Sequence, residues 1–116
     1  MDSHTALHLG HLAVIGPLLT YVGLARDNTP DTILNGLGVA AVAIFAYHCY
    51  RAYGKLKENK SAWVNWIHIL FVAPLLFLVS YLKKDASRRY YEMILLLGVA
   101  AIGYHGIYLV RDYVLQ

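Results

Sequence analysis

The sequence predicts an all-α protein, an integral membrane four-helix bundle, and three observations carry that prediction. Of its 116 residues, 59% are hydrophobic and 15% charged, where a soluble domain is typically about 25% charged. The apolar residues gather into four blocks, each close to the ~20 residues that a helix needs to cross a bilayer. The ten Lys and Arg lie between and after those blocks, as juxtamembrane charge does. Mean hydropathy is +0.48. The net charge of +3 forms no basic face interleaved with stacking aromatics, so nucleic acid is excluded as a partner. The single Cys49 excludes an intrachain disulfide.

The first predicted span, residues 7–25, follows and contains most of "HTALHLGHLAVIGPLL", with His4, His8, His11 and Pro17. The first eleven residues hold no Lys or Arg. A secretory leader has a positive n-region, so this block reads as a retained span. The second span, 33–53, follows Pro30 and Asp31, a turn and helix start. The third, 62–82, opens at Ser61 with Trp63 and Trp66 at the interface and holds Pro74. The fourth is 91–110. None has Asp, Glu, Lys or Arg in its central part.

The connections "RDNTPD", "GKLKENKS" and "KKDASRRY" are short. Short connections imply an up-down-up-down order, multi-pass, with both termini on the same side. That side holds Arg51, Lys55, Lys57, Lys60 and Arg111; the other holds Arg26, Lys83, Lys84, Arg88 and Arg89. The basic residues divide evenly, so the positive-inside rule assigns no orientation.

The chain reads as one domain, 1–116, built of two tandem duplicated helical hairpins, about 7–57 and 62–113. "HLAVIGPLLTYVGLARD" at His11 resembles "HILFVAPLLFLVSYLKKD" at His68, an offset of 57. "LGVAA" at Leu37 returns at Leu97, an offset of 60. Parallel repeats of this kind occur in transporters, and also wherever a two-helix unit has doubled.

Six histidines are the chemical lead. In the up-down order all six fall in the half of the bundle nearer the termini. His11, His48, His68 and His105 come one from each helix, roughly 6–10 Å from mid-span at 1.5 Å per residue. Ionisable residues inside spans usually face the bundle interior, so these four are expected to form a ring. His4 and His8 continue the His11 face toward water and read as surface access or metal candidates. Tyr47, Tyr104, Asn65, Arg51 and Arg111 are candidates for supporting the imidazoles or meeting haem propionates. Pro17 and Pro74 are expected to kink their helices. Gly38, Gly98 and Ala101 are expected at close helix contacts.

Three roles follow for the ring. A histidine-ligated metal or haem centre of electron-transfer type suits imidazole chemistry, with haem b or Cu, Zn or Fe as cofactor. A proton- or cation-conducting subunit, oligomeric, would use the same residues because histidine titrates near physiological pH. A structural or assembly role needs no cofactor, as interhelical polar contacts average under about 1 kcal/mol. Beyond the lipid bilayer, a second copy or a larger membrane complex is the expected partner. Nucleophilic catalysis finds no set: Ser80, Thr20 and Cys49 lack a paired base and acid, and "NGLG" at Asn35 follows no strand, as a nucleotide motif requires.

Overall fold

Among the described residues four helices follow one another with short turns between them. The computed structural model describes residues 3–113, apart from the His4 side chain. The helices are α1 (Thr5–Asn28), α2 (Asp31–Lys57), α3 (Trp63–Asp85) and α4 (Arg88–Tyr113), and each is long and apolar enough to cross a membrane. Among the described residues there is no strand. Every helix outruns its predicted span by a few residues at one or both ends. The span estimate counts apolar residues, whereas backbone hydrogen bonding continues into the polar ends.

α1 and α3 are built alike. Each begins as α-helix, widens into a π turn (His11–Ile15 and His68–Val72), returns to α-helix (Gly16–Ala25 and Ala73–Leu82) and tightens into a 3-10 turn (Arg26–Asn28 and Lys83–Asp85). The prolines explain the π turns. Pro17 and Pro74 lack an N–H, and in an α-helix the ring would crowd the carbonyl four residues back. One extra residue in the turn relieves that crowding. The residue before each proline closes the wide turn: Gly16 N–H donates to His11 O, and Ala73 N–H to His68 O. The α stretches end at Arg26 and Lys83, both at positive φ (54° and 51°).

α2 and α4 are uninterrupted. α2 starts on the Pro30 carbonyl, which accepts from Ile33 and Leu34 N–H. At the start of α4 the Ser87 hydroxyl accepts from Arg89 N–H, satisfying a donor that the helix leaves open.

The chain divides into two compact units. The first pairs α1, through Arg26, with α4 from Ser87; the second, Asp27–Ala86, pairs α2 with α3. The first two helices of the chain thus go one to each unit, as do the last two. Within the first unit Gly23 faces Leu95, Gly98 faces Thr20, and Gly16 faces Ile102. Positions rise on one helix as they fall on the other, so the pair is antiparallel. Gly38 against Ser80 and His48 against His68 show the same in the second unit.

Equivalent positions in the two units stand 57 apart: 11 and 68, 26 and 83, 31 and 88, 48 and 105. The LGVAA strings stand 60 apart and are thus almost one turn out of step with this framework. A three-residue slip changes the helix face by only about 60°, so small residues stay near the packed side. The string is a weaker marker of register than the Tyr-His pairs at 47–48 and 104–105.

Leu19, Val22, Tyr91 and Ile94 are buried in the first unit, and Leu34, Leu37, Ala41, Ile69 and Val79 in the second. Gly98 and Gly38 sit at close contacts as their sequence context suggests, while Ala101 is half-buried. The outward faces remain apolar: Val39, Leu70 and Leu96 are 74%, 71% and 68% exposed.

Candidate functional site: two histidine centres

Each unit gathers histidines at one level, and the π turn begins at one of them. In the first unit His11 Nδ1–H donates to Leu7 O at 2.9 Å. In the second, His68 Nδ1–H donates to Val64 O at 2.7 Å. A carbonyl only accepts, so both rings carry a proton on Nδ1 and turn Nε2 the other way. The facing helix supplies the second imidazole. His105 tilts against His11 with ring centroids 4.2 Å apart. His48 stacks on His68 at 4.0 Å and an interplanar angle of 13°. Tyr104 and Tyr47 meet the edges of the histidines that follow them.

The units differ three residues before the π turn. There the first unit has His8, whose Nδ1 lies 2.7 Å from His105 Nδ1. The second has Asn65, whose Nδ2 lies 2.9 Å from His48 Nδ1. Lys55 Nζ donates to Asn65 Oδ1 at 2.7 Å, so the amide presents its NH2 to His48. His8 also lies parallel to the Tyr108 ring (5.7 Å, 5°), which the Arg111 guanidinium covers at 4.3 Å. The Thr5 and Tyr113 hydroxyls are hydrogen-bonded nearby in sequence on the same two helices.

The candidates are thus distributed as two sets, His8, His11 and His105 in one unit and His48, His68 and Asn65 in the other. His8 is half-buried and bound to His105, an integral member of its centre rather than a surface residue. The side chain of His4 lies outside the described residues. Arg111 pairs with Asp112 at 3.1 Å besides covering Tyr108, and Arg51 is exposed. Lys55 and Tyr108 complete the surroundings of the two centres. Both are legible in the sequence, since Lys55 is seven residues from His48 and Tyr108 three from His105, spacings that share a helix face.

Among the described residues no group of three or more His, Cys, Asp or Glu is placed to hold a metal ion. Nor does either pair frame a haem within its unit. Two axial imidazoles lie on opposite sides of the macrocycle, while rings whose centroids stand 4.0 and 4.2 Å apart leave no gap for it.

The π turn sets which way His11 faces. Pro17→Ala restores an N–H and removes the ring, so the wide turn is expected to relax to α-helix. Loss of one residue from a turn rotates the preceding segment by about 100°, which carries His11 off His105. Nuclear Overhauser contacts between the two rings, expected in the parent protein from their 4.2 Å separation, should vanish in that variant. Pro74→Ala should leave them intact.

No family model, no curated protein and no solved structure matches this chain.

Proposed function

We propose that this is a small multi-pass membrane protein, its helices crossing the bilayer alternately, that moves protons through a part-buried histidine centre. Four helices long and apolar enough to cross, with Val39, Leu70 and Leu96 facing outward, support residence in lipid, since such faces are costly in water. The observation that carries the proton reading is the 2.7 Å contact between His8 Nδ1 and His105 Nδ1. Two ring nitrogens at that distance share one hydrogen, and either ring can hold it. When His105 is the imidazolium, its Nδ1–H bond breaks as the bond to His8 Nδ1 forms. The charge moves with the proton and no heavy atom has to travel. Imidazole is the side chain suited to this near neutral pH.

The test is proton flux in liposomes carrying the purified protein, with a pH-sensitive dye inside and an imposed pH gradient. Flux well above that of protein-free vesicles is expected; equal rates would overturn the reading.

One observation favours a second reading, a metal centre. The Nδ1–H bonds of His11 and His68 to backbone carbonyls set the tautomer that metal-ligating histidines commonly adopt. An absorption spectrum and metal content of the folded, detergent-purified protein decide it, and a colourless, metal-free preparation that still carries protons would leave only the first reading.

A further inference from the structure

The two centres share one framework, yet their hydrogen bonds differ in one respect. We infer that they are specialised: the His8–His105 pair exchanges its proton, whereas Asn65, oriented by Lys55, is a positioning residue that holds His48 in a single tautomer. The inference rests on the proton reading for the role of the first centre, but the tautomer of His48 stands on geometry alone.

The geometry runs from the lysine inward. The Lys55 ammonium can only donate, so the atom that it meets at 2.7 Å must be the amide oxygen of Asn65. The other end of that amide, the NH2, then faces His48 Nδ1 at 2.9 Å. A donor facing Nδ1 requires a lone pair there, and the ring proton of His48 therefore sits on Nε2. Turning the amide over would set its NH2 against the ammonium and its oxygen against the ring, and Lys55 opposes this. Asn65 is 3% exposed, so water does not compete readily for either bond.

In the first unit the same position is His8. An imidazole nitrogen both donates and accepts a proton, whereas an amide N–H donates a hydrogen bond but does not take up a proton. Protonation of an amide would fall on its oxygen, which Lys55 occupies. A proton can thus pass between His105 and His8 by the exchange of one N–H bond for another. The matching step from His48 to Asn65 has no acceptor. Neither unit requires the other for this distinction, which each carries in its own side chains.

The experiment is nitrogen-15 spectroscopy of the full chain in detergent micelles, with uniformly labelled histidine assigned by single substitutions. His48 in the parent protein should show the Nε2–H form in excess by about tenfold or more, the ratio that one charge-supported hydrogen bond sustains. His105 should show the averaged shifts of a ring exchanging its proton. Lys55→Met, at a half-buried position near the end of α2, frees the amide and should bring the two His48 tautomers toward equal populations. Lys55→Arg, which keeps a donor, should preserve the excess. Asn65→His should give His48 the averaged signals of His105. An Nδ1–H tautomer at His48 in the parent protein, or populations unmoved by Lys55→Met, would overturn the inference. Absence of flux in liposomes with the tautomer excess intact would remove the proton-carrying role and leave the lock standing.

Discussion

Gly98→Leu is expected to lower stability by about 3 kcal/mol or more, at the upper end of what overpacking costs, and to break the α1–α4 unit first. A Cβ at Gly98 would come within 2.6 Å of Thr20 backbone N and Oγ1, and within 3.0 Å of Gly16 O. Two of those three atoms are backbone, so relief requires a shift of α1 itself. Thr20 cannot turn aside freely, because its hydroxyl donates to Gly16 O at 2.8 Å. Small residues of this kind let helices approach closely where lipid offers no hydrophobic drive toward association. Gly103, on the same helix, has nothing within 4 Å of its would-be Cβ. Gly103→Ala should therefore cause no loss, and restricting the backbone there can add up to ~1 kcal/mol. An SDS titration of each variant, followed by circular dichroism, checks both; equal destabilisation would refute the close approach at Gly98.

His105→Phe is expected to reduce proton flux by about tenfold or more, the lower range for removing a positioned proton donor. The side chain of His105 is buried and meets His8 at 2.7 Å and the His11 ring at 4.2 Å. Phenylalanine keeps an aromatic ring for stacking, one ring atom larger than imidazole, but offers no nitrogen, so the fold should persist while the path is cut. His48→Phe should leave most of the flux, since Asn65 gives His48 no acceptor. Equal losses in the two variants would mean that both units carry protons. No loss in either would remove the histidines from the mechanism.

Much of the site was legible in the residues. His11, His48, His68 and His105 stand out because a titratable side chain inside an apolar block is expensive unless it has company. Asn65 was marked by sharing a helix face with His68. His8 was harder to place, because a histidine near a helix start reads as a surface residue until the opposite helix is known. The partition was less accessible still. Short connections predict sequential neighbours, and nothing in the loops tells α1 to pack with α4. That pairing depends on matching small and large residues across helices, Gly23 with Leu95 and Gly98 with Thr20, which are far apart along the chain. The prolines announced a disturbance in α1 and α3, but whether it is resolved as a kink or a wide turn depends on what the bent helix must meet.

The sequence by itself determined four apolar helices, their approximate limits and the residue types that can hold or pass a proton. Those follow from local composition and from the cost of leaving backbone groups unpaired. Only the tertiary structure decided which histidines meet. It brought His8 to His105, and it set the amide of Asn65 between Lys55 and His48. A hydrogen bond depends on distances and directions between helices, and a one-residue widening ahead of a proline changes both. The same framework could therefore hold an exchanging pair in one unit and a fixed tautomer in the other, a difference written in one side chain and legible only from its neighbours.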